Sequence, residues 1–144
     1  MIDYSQLTNA EIRMLVLKAM GYSVKRMPVY SGGPNWYWLY QNEQQYSRAF
    51  YATEAEAWSH APDPLADANV YMGLVDEIEN GYGASVKMRS YWTQNSEGLS
   101  EKQYVVTLLR PTHQEVFARS VSRARAVCEV YCMVKDSVPG GAER

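Results

Sequence analysis

Phenylalanine is scarce in this sequence: there are two, against twelve tyrosines and four tryptophans. A chain that only had to fill a core would lean on Leu, Ile and Phe, so core filling alone does not explain these rings. Tyr and Trp bury a flat face and keep a polar tip, which suits an interface or a pocket for a flat polar ligand. Cysteine is limited to Cys128 and Cys132, and histidine to His60 and His113. That excludes a disulfide framework and leaves no second Cys or His pair to complete a zinc site. No apolar run approaches the ~18 residues of a membrane-spanning helix. Charge of one sign is also missing. Fourteen Lys+Arg against sixteen Asp+Glu give −2, too balanced for a general DNA binder and too mild for an acidic DNA mimic. The opening Met1-Ile-Asp-Tyr-Ser5 lacks the basic-then-apolar order of a signal peptide, so cytosolic residence is the expectation.

What is present reads as one α+β domain over 1–137, with 138–144 as a frayed tail. Thr8-Asn-Ala-Glu11 is a capping box, and Ile12, Leu15, Val16 and Ala19 follow at helical spacing up to Gly21. Strands are predicted over 24–30 and 36–40, with a short third over 46–51, and Pro28 assigns the first to an edge or a bulge. Trp36, Trp38 and Tyr40 share one strand face, taken as core under a helix, and Tyr37 and Leu39 share the other; both faces are apolar, so cover on both sides is expected. The surplus Tyr37, Tyr46 and Tyr51 are then the rings left for a ligand or an interface. One helical turn is possible at 54–58. Asp63-Pro64 signals a second long helix with a stripe of Leu65, Ala68, Met72, Val75 and Ile78, widened by Tyr71 and Leu74. Strands over 85–92, 104–110 and 115–119 precede a last helix capped by Ser122, with a stripe of Ala124, Val127, Cys128 and Tyr131. The expected fold is a mostly antiparallel sheet of five to six strands with three helices against it, in the order α-β-β-(β)-α-β-β-β-α.

Three segments stand out: Tyr4 to Tyr22 with its Met-Gly-aromatic ending, the acidic Ala-rich stretch after Asp63-Pro-Leu-Ala-Asp-Ala68, and Ala124-Arg-Ala-Val-Cys-Glu-Val-Tyr-Cys132. Together they resemble the phage ABA sandwich domain family. A weaker similarity, through Asp3-Tyr-Ser5, is to the phage NinX-like proteins. The resemblance covers most of the chain at fold-defining positions and supplies no catalytic motif. It implies a phage origin and an accessory role during infection, which with the cytosolic expectation places the protein in the host bacterial cytosol. The sequence departs from the family between Trp36 and Tyr51, where it is longer and richer in rings.

Chemistry-bearing residues have plain readings beside the functional ones. Cys128 and Cys132 lie four apart on one helix side, and core packing is the simpler account of them. No nucleophile elbow occurs, and neither Gly32-Gly33 nor Gly81-Tyr-Gly83 follows the strand–glycine–helix order of a phosphate loop. The basic residues say more. Lys87 and Arg89 alternate with Tyr91 on one strand face, and Arg119, Arg123 and Arg125 flank the last helix start. Arg110 and His113 sit in the turn between two strands. Arg forks with stacking rings suit a nucleotide; the plain alternative is a sheet edge kept soluble by charge.

The leading expectation is a non-enzymatic phage anti-defence protein, with no cofactor and no metal, that sequesters a small nucleotide-derived immune signal. Cyclic nucleotides and cyclic ADP-ribose species are the candidate class. The expected ligand-binding residues are Tyr37, Tyr46, Tyr51, Lys87, Arg89, Tyr91, Arg110, His113, Arg119 and Arg123. A homo-oligomer, dimer or larger, is expected, with no membrane and no general DNA partner. One alternative is an interaction module that inhibits a host defence or replication protein. The other is a nucleotide-degrading enzyme.

Overall fold

A computed structural model describes residues 3–28, 35–109 and 115–137. The fold is α+β, but the strands divide into two three-stranded antiparallel sheets and the α-helices number four among the described residues. That corrects the expectation of one sheet with three helices. The first sheet has the order β1 (Tyr22–Pro28), β2 (Asn35–Gln41), β3 (Gln44–Gln45). The second is β4 (Ser85–Gln94), β5 (Ser100–Leu109), β6 (Val116–Ser120). Strand pairing is non-local, so six β-prone segments do not reveal which of them share a sheet.

The helices are α1 (Asn9–Ala19), α2 (Glu54–Ser59), α3 (Ala68–Tyr82) and α4 (Arg123–Ser137). The Thr8–Glu11 capping box forms as expected: Thr8 Oγ1 accepts from Glu11 N at 3.1 Å, and Glu11 Oε1 from Thr8 N at 2.9 Å. Those bonds hold the Glu11 carboxyl below its ordinary range. The helix ends at Gly21, whose φ of +96° and close approach to the Asn42 side chain both exclude a Cβ. The turn proposed at 54–58 is α2, capped by Thr53. The long helix starts later than Asp63-Pro64 suggests, because Asp63 opens a separate turn instead: its carboxylate accepts from Leu65 N at 3.0 Å and faces Arg13 at 3.7 Å, and its carbonyl accepts from Ala66 N and Asp67 N. Asp67 is the cap. The buried stripe of α3 is accordingly Leu74, Val75 and Ile78, while Ala68 and Met72 are exposed.

The helices lie between the two sheets. Helix α4 packs on β5, β6, α3, α1 and a 3-10 turn at Tyr4–Gln6, while α1 packs on β1 and α2 on β1 and β2. Ile12 and Val16 of α1 join the larger core with Ile78, Val106, Leu108 and Tyr131. Leu17, one step round the same helix, joins the smaller core with Tyr22, Leu39 and Ala61. Helix α4 is enclosed on every side: all residues from Ala124 to Cys132 are buried, beyond the single stripe expected. Cys128 and Cys132 pack in this core, and burial pushes the Cys128 thiol up to about 12, with Cys132 adding to the shift.

Two charged residues share that interior. Arg125 Nε donates to Glu129 Oε2 at 2.6 Å, and its Nη atoms donate to Asn9 Oδ1 at 2.7 Å and to the Tyr4 and Leu7 carbonyls at 2.9 and 2.6 Å. This network ties the start of the chain to the central helix. No helix among the described residues is long and apolar enough to cross a membrane.

Candidate ligand-binding face

With the helices inside, each sheet leaves one face outward. On the second sheet, register decides what that face shows. Arg89 lies beside Val105 and Val105 beside Arg119, while Lys87 lies beside Thr107 and Thr107 beside Phe117. Residues level in register point to the same side, so Lys87, Arg89, Tyr91, Phe117 and Arg119 share one face. The opposite side buries Val106, Leu108 and Ala118 against the helices. Lys87, Arg89, Tyr91, Phe117 and Arg119 are all exposed.

Two strand spacings put the backbones of Arg89 and Arg119 roughly 9–10 Å apart, and two steps along β4 put Lys87 about 7 Å from Arg89. Arg119 Nη1 donates to Tyr91 Oη at 3.1 Å, reaching across β5. That bond holds the guanidinium on the sheet and orients the Tyr91 ring. No ion pair engages Lys87, Arg89 or Arg119 among the described residues. Three cations with two rings, none of the cations in an ion pair among the described residues, can accept a phosphate-bearing, stackable group.

The remaining expected site residues go elsewhere. Arg123 belongs to the helix-facing side, its Cζ 5.1 Å from the Tyr104 ring centroid, where Lys102 Nζ also lies at 5.5 Å. Together with Leu65 and Tyr71, Arg123 and Tyr104 line a groove at the start of α4. Arg110 and His113 fall outside the described residues. Tyr37, Tyr46 and Tyr51 belong to the first sheet, so the structure does not bring all ten residues together.

These three tyrosines hold the margin of the first sheet. Residues 46–51 do not form the expected third strand; β3 is Gln44–Gln45, and Tyr51 makes only an isolated bridge to Tyr37. Ser47 replaces strand bonds there, its buried hydroxyl accepting from Leu39 N at 3.1 Å and donating to Ala49 O at 2.8 Å. Tyr46 meets Tyr22 edge-on at 5.2 Å, and Tyr51 stacks on His60 at 4.3 Å. Burial, with Tyr46 adding to it, pushes the Tyr22 hydroxyl up to about 12.

Only one face of β2 has the helical cover expected on both, and it is not the face of Trp36, Trp38 and Tyr40. Leu39, with no exposed surface, is the core residue, and Tyr37 shares its side. Trp36, Trp38 and Tyr40 point outward and remain half-buried. Phe50 covers part of them, with ring centroids 5.0 Å from Trp36 and 4.9 Å from Trp38. Met27 is beside Trp36 in register, and Lys25 Nζ sits 4.6 Å over the Tyr40 ring. This second open face was missed by reading the larger rings as the core. The available signal was Leu39, since Leu is buried completely far more readily than Trp or Tyr.

Fold and geometry thus define a small α+β protein with two open sheet faces, one cationic and aromatic, the other mainly aromatic. No family model matches the chain, and no curated protein matches it.

Proposed function

We propose that the protein binds and sequesters a small nucleotide-derived signal of the cyclic nucleotide or cyclic ADP-ribose type on the open face of β4–β6, without converting it. The observation that carries this reading is the convergence of Lys87, Arg89, Tyr91 and Arg119 on one uncovered face, free of ion pairs among the described residues. Guanidinium forks pair with phosphate oxygens, and Tyr91 and Phe117 offer stacking surfaces to a base. The family resemblance implies a phage origin and an accessory role during infection, and anti-defence in the host cytosol is the setting we infer for such a binder.

The test is to incubate the purified protein with cyclic dinucleotides and cyclic ADP-ribose, remove free ligand, denature by heat and identify what is released. Intact ligand is the expected product. Arg89→Ala and Arg119→Ala should each weaken retention at least about tenfold, the scale of one charge-assisted hydrogen bond. Release of an altered ligand would make the protein an enzyme instead, and no retention of any candidate would refute sequestration.

A second reading has its own observation. The face of Trp36, Trp38, Tyr40, Met27 and Phe50 is apolar and partly exposed, the kind of surface that meets a protein. On that reading the chain is an interaction module that inhibits a host defence or replication protein.

A further inference from the structure

We infer that β4 is a dimerisation edge, at which a second copy of this chain adds its own β4 antiparallel across a two-fold axis through Ser90. The inference stands independently of the ligand reading. Strand β4 is ten residues long, contains no proline, and pairs only with β5 among the described residues. The other outer strands are poorer templates: β1 ends in Pro28, β3 has two residues and β6 has five. Edge strands that stay single are usually short, bulged, charged or covered; β4 carries Lys87 and Arg89, and Glu79 caps it at Val86 alone among the described residues. Here the register from Ser85 to Gln94 is continuous, and the strand shows Met88, Tyr91 and Trp92 to solvent. Trp92, at 67%, is more exposed than any other large hydrophobic residue described.

The direction of the free backbone groups follows from one bond. Val86 gives its N–H to Glu79 Oε2 at 3.2 Å, not to β5. Strand groups alternate, so the even-numbered residues Met88, Ser90 and Trp92 aim N–H and C=O at the open edge. An antiparallel partner must then match even residues with even ones.

Side chains choose among the registers this allows. An axis through Arg89 opposes Arg89 to its own copy, and one through Met88 opposes Lys87 to Arg89; both set like charges together. An axis through Tyr91 leaves Met88 opposite Gln94 and shortens the overlap. An axis through Ser90 pairs Met88 with Trp92 and Arg89 with Tyr91, a sulfur–aromatic and a cation–π match. The result is a continuous six-stranded sheet. If the ligand reading also holds, the two copies' Arg89 residues come within roughly 7–8 Å of each other on one face, a paired cradle for two phosphates.

Light scattering at micromolar concentration, without ligand, should give twice the chain mass of 16.4 kDa. Ser90→Cys should cross-link into a disulfide dimer under mild oxidation, because a hydrogen-bonded pair holds its Cα atoms about 5.5 Å apart, within disulfide range. Cys128 and Cys132 are buried and should add no background. Ser90→Pro, which removes an edge-facing N–H and spares β5, should yield monomer with unchanged circular dichroism. A monomeric wild-type protein, or cross-linking through Arg89→Cys or Tyr91→Cys in preference to Ser90→Cys, would overturn the proposal. None of these measurements involves a nucleotide, so failure here and failure of ligand binding are separately visible.

Discussion

Arg125 is the residue on which the N-terminal segment depends. Its guanidinium is buried, and it satisfies Glu129, Asn9 and two main-chain carbonyls at once. Removing one partner of a buried pair strands the other charge, which costs about 3–5 kcal/mol. Arg125→Met should lose stability on that scale in urea denaturation; a loss below about 1 kcal/mol would mean that water reaches Glu129. Adding Glu129→Leu should restore only part, because the Tyr4 and Leu7 carbonyls still lack a donor. Cys128 and Tyr22 make a second residue-scale prediction. Both are protonated more tightly in the folded state, at about 12 each against ordinary values of 9.0 and 10.0. The unfolded chain therefore holds fewer protons above pH 9, and stability falls as pH rises from about 9 to 12. Thermal unfolding across that window should show the decline, and Cys128→Ala should remove the part that begins near pH 9. A flat profile would contradict the burial of both groups.

At the scale of elements, β2 shows how far a pattern carries. Alternation predicts that Trp36, Trp38 and Tyr40 lie on one side and Tyr37 and Leu39 on the other, and the strand obeys it. Which side faces the helices is set by α1 and α2 packing on Leu39, a contact between segments distant in sequence. Phe50 then folds back over the outer rings. Phe50→Ala should cost about 1 kcal/mol, mostly the loss of two edge contacts, and should red-shift the tryptophan emission. Unchanged emission would show that Phe50 does not shield Trp36 and Trp38. The capping box of α1 was legible because its bonds join residues three apart. The start of α3 was not, because Arg13 and the packing of the Pro64 turn move the cap from Asp63 to Asp67.

Across the whole molecule, helices inside and sheets outside leave two large faces without a helical cover. The cationic face assembles from Lys87, Arg89 and Tyr91 of β4 and Arg119 of β6, residues whose types alone suit a phosphate-bearing ligand. Binding there should weaken steeply with salt, because exposed cations are screened over about 8–10 Å at physiological ionic strength. Titrating the ligand at low and high salt checks this; a salt-independent affinity would place the ligand elsewhere.

Composition, caps and alternation by themselves determined the α+β class, most element positions, and which strand residues share a side. These are local properties, set by backbone geometry within a few residues. The tertiary structure alone decided that the six strands of the described residues form two sheets, that α4 is buried from Ala124 to Cys132, and that the rings of β2 face outward. Those outcomes depend on which distant apolar surfaces meet, and burial is a property of the partner as much as of the residue. The scarcity of phenylalanine takes its meaning there: half-buried rings with polar tips fit sheets that keep one face in water.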